Sequence, residues 1–174
     1  MNVRLMHYDS RWKQEFQQTR SSILQSCLGW ITAVEHVGST AIPGLIAQPT
    51  IDILAGVNGS LDSHEDPIQK SADFIEGLNF RRHRSPSWAG ESVLLHKPRH
   101  GAPTHCVILM DQTSKVWRQA LAVRDHLIDN ADLATRFEQV KVARWRSGQG
   151  DPKLYKRDKS IFFTHVIDQI GDRR

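Results

Sequence analysis

The sequence is poor in cysteine and contains no long apolar run. Its 174 residues include two cysteines, Cys27 and Cys106, which are too few and too far apart for a disulfide framework or a cysteine metal motif. We expect both to be buried thiols in a reducing compartment. No stretch approaches the ~20 apolar residues of a membrane-spanning helix, and the N-terminus lacks the basic-then-apolar order of a secretory signal. These absences predict a cytoplasmic protein without a membrane segment.

An excess of one charge is also nearly missing. The chain has 23 Lys and Arg against 19 Asp and Glu, a formal net charge of +4, which is too small by itself to indicate a nucleic-acid-binding protein. The distribution is less even, because eight basic and three acidic residues lie between Arg136 and Lys159. A solvated helical face explains such a run, and a surface that contacts phosphate groups is the alternative.

The spacing of apolar residues predicts an α+β domain. No repeat or linker divides residues 1–174, so we expect a single domain. A first helix is expected from about Ser10 to Gly29, a second from Asp66 to Gly77, and helical spacing returns after Asp111. Strands are expected at 31–37, 51–57, 79–84, 92–97 and 104–110. The prediction is a small mixed sheet with helices before, within and after it.

The first candidate site is the turn that follows the strand at 31–37. Gly38, Ser39 and Thr40 leave that strand as a Gly-Ser turn, which exposes backbone N–H groups and a hydroxyl that can bind phosphate oxygens. Asp52 follows on the next strand, where a carboxylate could hold Mg²⁺ against those phosphates. His36, beside the turn, is a candidate ligand contact. An ordinary turn and a strand-end aspartate are the alternative.

The same stretch resembles the signature of a known family. It contains EHVGSTAIPGLIAQPTIDILAGV, preceded by Tyr8-Asp9-x-x-Trp12 and followed by VRDHL at 123–127, Phe137-x-x-x-Lys141 and Tyr155-x-x-x-Lys159. This pattern, over about residues 6–170, is similar to the GrpB family of small bacterial proteins related to the nucleotidyltransferase superfamily. The resemblance implies a sheet of the nucleotidyltransferase type with a helical C-terminal third. It also implies a protein that binds an NTP with Mg²⁺ or Mn²⁺ and transfers a nucleoside monophosphate to an unknown acceptor.

The chain departs from the carboxylate pattern of that superfamily. Two acids at positions i and i+2 of one strand, with a third on a neighbouring strand, hold two metal ions there. Here Asp52 is followed two residues later by Leu54, which cannot ligate Mg²⁺. Asp111 and Glu91 are candidate substitutes for a missing acid.

The family's histidine-rich strand is also reduced. Of that segment His105 remains, and Cys106 and Ile108 stand where histidines are familiar. Imidazole suits Mn²⁺ or Zn²⁺ better than Mg²⁺, or can act as a general base. The resemblance therefore leaves Asp52 and His105 as the candidate catalytic and metal-binding residues.

Further basic residues are candidates for contact with an anionic ligand. Arg124 could form an ion pair with its neighbour Asp125 or reach the cleft, and Lys159 could meet a triphosphate or remain solvated. The histidines of the basic stretch at 81–100 are typical of an exposed edge strand or of an anionic-substrate contact; they are His83, His96 and His100.

Two classes of function stay open. In the first, a nucleotidyltransferase, Asp52 binds metal, residues 38–40 hold phosphates, and His105 binds metal or acts as a base. The second is a nucleotide- or RNA-binding module that has lost turnover. It is favoured by Leu54, which stands where a second carboxylate is missing, and by the basic C-terminal helices. A different small phosphorylated ligand is a third candidate. No residue argues for or against a dimer.

Overall fold

The computed structural model describes residues 2–58 and 64–154. Within them, five strands form one mixed sheet in the order β1-β2-β5-β4-β3. The strands are β1 Ile31–Val37, β2 Ile51–Val57, β3 Arg81–His83, β4 Ser92–Lys97 and β5 His105–Asp111, and the helices are α1 Arg11–Ser26, α2 Pro67–Glu76, α3 Lys115–Asp129 and α4 Ala131–Ser147. The predicted α+β architecture with flanking helices is confirmed. The part of the expected helical C-terminal third beyond residue 154 lies outside the described residues.

Local signals explain where the helices begin. The Asp66 carboxylate accepts hydrogen bonds from the N–H groups of Ile68 and Gln69 at 2.9 and 3.3 Å, and Pro67 occupies the first turn of α2. The Ser114 hydroxyl accepts from the Trp117 N–H at 3.2 Å and so caps α3. Both helices therefore begin where a side-chain oxygen satisfies backbone donors that have no partner inside the helix.

The strand register divides the sheet into two chemically different faces. β2 and β5 are parallel, with Ile53 opposite Val107 and Asp52 opposite Cys106, and residues opposite each other share a face. The packed face carries the odd-numbered residues of β2 and β5 and joins residues of α1 and α2 in one buried core. The cavity face carries the even-numbered residues of the same strands and lies under α3, with α4 beside it.

Helix α3 packs closely at one end of the cavity face. A Cβ at Gly56 would lie 2.8 Å from the Cβ of Gln112 and 3.0 Å from Cη2 of Trp117, so the indole ring rests on the bare backbone of β2. Towards the other end of β2 the helices line an open space, and Asp52 lies there. The same helix therefore closes the sheet at Gly56 and leaves a cavity at Asp52.

Two large apolar residues near helix ends are exposed. Leu28 is 83% exposed, because it follows the last residue of α1 and so leaves the helical spacing that buries Ile23. Ile128 is 44% exposed near the end of α3. Strand β3 lies at the sheet edge, as its basic composition predicts. No helix in the described ranges is both long and apolar enough to span a bilayer.

Candidate functional site

A cavity of about 150 Å³ opens on the cavity face at the Asp52 end of β2. A space of this size holds a benzene-sized group. Its walls are mainly apolar, formed by Leu54, Trp88, Ile108, Val123, Leu127 and Phe137. Four lining residues carry polar groups: Ser39, Asp52, Cys106 and Arg124. The cavity can therefore take an apolar ring or chain while polar groups contact its remaining atoms.

The predicted turn and the predicted carboxylate lie in direct contact. Val37 is opposite Asp52 in the β1–β2 register, so the chain enters the turn beside this carboxylate. Gly38 has φ +73°, and a Cβ there would collide with Oδ2 of Asp52 and lie 3.1 Å from its Cβ. Glycine is required at this position by its backbone angle and by the close approach.

Thr40 and His36 lie behind the turn and do not line the cavity. The Thr40 hydroxyl donates to the Thr50 carbonyl at 3.0 Å and lies 2.9 Å from Nε2 of His36, so it accepts from an Nε2–H. The His36 ring stacks on Phe16 of α1, with centroids 4.8 Å apart. These contacts leave Gly38 and Ser39 as the turn residues that line the cavity. The ligand contacts expected of Thr40 and His36 stay predictions, and both side chains bond within the protein.

His36 is held in its neutral form by this environment. Burial lowers the pKa of His36 to about 4, and the positive charge of Arg124 acts in the same direction. At neutral pH its ring therefore serves as a hydrogen-bond donor to Thr40 rather than as a cation for phosphate.

The register separates His105 from Asp52. His105 is opposite Ile51 on β2 and Lys97 on β4, which places it on the packed face, one residue out of phase with Asp52. Its Nδ1 lies 2.9 Å from the Thr104 hydroxyl. Burial, with the nearby charge of Lys97, lowers the pKa of His105. The two candidate metal-binding residues, Asp52 and His105, therefore lie on opposite faces of the sheet.

The two substitute acids lie at the far end of the sheet. Asp111 is opposite Val57, five residues along β2 from Asp52 and hence roughly 17 Å away. Its carboxylate accepts from the N–H and the hydroxyl of Thr113 at 2.7 and 2.8 Å. Glu91 lines a separate hollow together with Asp111. Neither acid can complete a site at Asp52.

Arg124 forms the predicted ion pair and also reaches the cavity. Its Nε donates to Asp125 at 2.8 Å, and its Nη1 donates to Glu35 at 2.6 Å and to the carbonyl of His36 at 3.1 Å. The side chain is 18% exposed. Burial opposes its charge, but the hydrogen bonds to Asp125 and Glu35 prevail and raise the pKa of Arg124. The guanidinium is therefore a fixed cation in the cavity wall.

Sequence reasoning missed Glu35 and Trp88 and was wrong about the burial of Cys106. Glu35 is opposite Leu54, so it shares the cavity face and orients Arg124 from 89 residues away along the chain. Cys106 is half-buried rather than buried, and Trp88 forms part of the cavity wall. The alternation of β1 could have placed Glu35 on the face of Val37, but its partner on α3 has no local signal.

The residues around Asp52 do not fit a two-metal centre. Among residues 2–58 and 64–154, no three His, Cys, Asp or Glu side chains are grouped so that they could hold a metal ion. Leu54, Cys106 and Ile108 occupy the cavity face around Asp52, where two Mg²⁺ ions would need oxygen ligands. Asp52 contributes one carboxylate to this part of the cavity lining.

Of the basic residues between Arg136 and Lys159, Lys141 is described by the structure and Lys159 is not. Lys159 lies outside the described residues, so its predicted contact with a triphosphate stays a prediction. Lys141 is buried, with Nζ 5.0 Å from the centre of the Phe137 ring. Lys141 is therefore part neither of a solvated helical face nor of the alternative, a surface that contacts phosphate groups.

Comparison with known proteins identifies the family. The family model described as GrpB protein matches residues 2–169. The chain belongs to the GrpB family. Family membership confirms the resemblance found in the signature from Glu35 to Val57.

Individual GrpB relatives match almost the whole chain. The UPF0157 protein SCO7215 of Streptomyces coelicolor is 30% identical over 100% of this chain and 87% of its own length. The glutamate-rich protein GrpB of Alkalihalophilus pseudofirmus is 23% identical over 97% of this chain and 95% of its own. The crystal structure of the conserved protein GrpB from Enterococcus faecalis has a TM-score of 0.79 at 22% identity, covering 95% of this chain and 96% of that one. The last similarity establishes a shared fold.

Proposed function

We propose that this GrpB-family protein binds a nucleotide, or another small phosphorylated molecule with an apolar part, in the cavity beside Asp52. The observation that carries the proposal is Arg124, a mostly buried cation in the wall of an apolar cavity that also holds the Gly38–Ser39 turn. Its Nε and Nη1 are bonded within the protein, and no acceptor for Nη2 is found among the described residues. A guanidinium nitrogen such as Nη2 can donate to a phosphate oxygen of a ligand.

The cavity lining suits the two halves of such a ligand. A base or a similar ring can pack against the apolar side chains around Trp88 and Phe137, while phosphate oxygens contact Arg124, the Ser39 hydroxyl and the turn. Asp52, Glu35 and Asp125 bring three carboxylates to the surroundings of this one guanidinium. A Mg²⁺ or Mn²⁺ ion bound to the phosphates would neutralise their repulsion by Asp52.

Of the two classes of function that the sequence left open, nucleotidyl transfer is the less favoured one. In two-metal transfer, paired ions activate the attacking oxygen and stabilise the leaving pyrophosphate. Here Leu54, Cys106 and Ile108 provide apolar or soft surface where that chemistry needs carboxylates. We therefore favour a binding module that retains the phosphate turn over an enzyme that transfers nucleoside monophosphates.

Thermal unfolding with each NTP, with and without Mg²⁺ or Mn²⁺, tests the proposal. A nucleotide at a hundredfold excess over its Kd stabilises the folded protein by about 2.7 kcal/mol and so raises Tm. We expect Arg124→Gln to abolish this rise, and Asp52→Asn to reduce its dependence on the metal ion. Arg118→Gln, at an arginine of the same helix that donates to the Thr113 carbonyl, should keep the full rise.

Two outcomes would contradict the proposal. One is the absence of any Tm shift with all NTPs and metal ions; the other is an equal shift in wild type and Arg124→Gln. Pyrophosphate release by the wild type with an NTP and Mn²⁺ would instead restore the transferase reading, because a binding module releases none.

A further inference from the structure

A row of reactive side chains crosses the cavity face at the Asp52 end. Asp52 is opposite Cys106, Cys106 is opposite His96, and His96 is opposite Arg81. Since opposite residues share a face and neighbouring strands lie about 4.8 Å apart, the four residues form one line across β2, β5, β4 and β3. The Cys106 thiol thus has a carboxylate on one side and an imidazole on the other.

His96 has a second imidazole against it. The rings of His83 and His96 stack with centroids 4.3 Å apart and an interplanar angle of 29°. His83 comes from the edge strand β3, two residues along from the partner of His96. This stacking restricts the rotation of the half-buried His96 ring, which stands opposite Cys106 in the register.

The two cysteines of the chain have opposite environments. Cys27 is 0% exposed, its Sγ lies 3.9 Å from the Ser71 carbonyl, and burial raises the pKa of Cys27 to about 11. Cys106 is half-buried and lines the cavity. A small molecule that enters the cavity meets Cys106, whereas Cys27 is sealed in the core of the packed face.

We propose that Cys106 is a covalent modification site of the cavity, which reacts with low-molecular-weight disulfides, and that His96 accepts the proton of its thiol. The imidazole takes the proton, and the thiolate attacks one sulfur of the disulfide RSSR. A Cys106–S–S–R bond forms, the S–S bond of RSSR breaks, and the leaving RS⁻ takes the proton from His96. The sum is Cys-SH + RSSR → Cys-S-S-R + RSH, in which the Cys106 sulfur is oxidised and the leaving sulfur reduced. The R group then occupies part of the cavity.

Mass spectrometry of the intact protein tests the proposal directly. The native protein is treated with bis(2-hydroxyethyl) disulfide in the presence of EDTA, and peptide mapping locates the adduct. We expect one adduct per chain, on Cys106, while Cys27 reacts only after unfolding. Cys106→Ser should remove the native adduct. Equal labelling of both cysteines, or labelling of Cys106 only in unfolded protein, would overturn the proposal.

The role of His96 is tested by the rate of the same reaction. We expect His96→Gln to slow modification of Cys106 at least about tenfold, because a positioned base no longer takes the proton. His100→Gln is the matched control, since this exposed histidine follows β4 and lies outside the row; its rate should equal that of the wild type. Equal rates in His96→Gln and wild type, at unchanged Tm, would overturn the role of His96. Neither result depends on nucleotide binding.

Discussion

The two faces of the sheet are built from alternate residues of the same strands and have opposite properties. On the packed face, Ile51, Ile53 and Ala55 are at most 1% exposed and join α1 and α2 in a continuous core. On the cavity face, Asp52 and Cys106 border an open space beneath α3 and α4. The odd residues of β2 therefore fill the core of the packed face, whereas the alternation places Asp52 at the cavity.

The largest expected difference between the two faces is the loss of stability when one side chain on each is shortened. We expect Ile53→Ala to lower the free energy of unfolding by about 3–4 kcal/mol, because it leaves a void in a close-packed core. Ile108→Ala, on the cavity face and only half-buried, should cost about 1 kcal/mol. Urea unfolding of both variants measures the two losses, and equal losses would show that the faces are packed alike.

Gly38→Ala tests the contact between the turn and Asp52. We expect a loss of about 2 kcal/mol or more, because the new methyl group is both strained at φ +73° and in collision with Oδ2 of Asp52. Gly44→Ala is the matched control: its φ is +80°, but nothing lies within 4 Å of an added Cβ. Its loss should be about 1 kcal/mol, from backbone strain alone. If the two variants lose equal stability, the carboxylate does not press on the turn.

We expect the folded protein to lose stability in acid because of His36, which lies on the packed face. His36 has a pKa of about 4 when folded against 6.5 when unfolded, so the unfolded state binds more protons between these values. Stability from this group is complete above pH 6.5 and is lost as the pH falls towards 4, by about 2 kcal/mol between pH 7 and 5. In His36→Gln, the midpoint of urea unfolding should depend less on pH over that range. The lowered pKa of His105 acts in the same direction, so some slope should persist; an unchanged slope would contradict the prediction.

The smallest expected change concerns the ion pairs at the edge of the cavity. Arg124→Lys keeps the charge but loses the fork that reaches Glu35, Asp125 and the His36 carbonyl together. We expect a loss of about 1 kcal/mol, since Glu35 is partly solvated and its pairing is screened. Arg118→Lys, on the exposed side of α3, should change stability by less than about 0.5 kcal/mol. Comparable losses in both variants would show that the ion pairs of Arg124 stabilise the fold no more than the contacts of an exposed arginine.

Local patterns were enough to predict most of the elements. Helix α2 follows from Asp66-Pro67 and Gly77, whose capping and stopping roles act over a few residues. Strand β2 follows from the alternation of Ile51, Ile53 and Ala55, and the Gly-Ser turn follows from its glycine. The carboxylate lies against that turn because β1 and β2 are neighbours along the chain and pair in the sheet.

The rest of the site depends on register between distant segments. The family resemblance left His105 as the candidate partner of Asp52, but the parallel pairing of β2 with β5, over fifty residues apart, places Cys106 opposite Asp52. A shift of one residue exchanges the faces, and no local pattern sets that shift. The Glu35–Arg124 contact is likewise formed only when α3 docks on the sheet.

The alternation of the strands also allows residues that line the cavity to change while their neighbours in the core are kept. Positions 52, 106 and 108 border the cavity, while 51, 107 and 109 lie in or beside the core of the packed face; Leu54 borders the cavity and is buried as well. Exchanges at 52, 106 and 108 alter the cavity lining and leave the core residues in place. A lineage can therefore lose or acquire a reaction at this sheet through substitutions at every second residue, with the scaffold inherited unchanged.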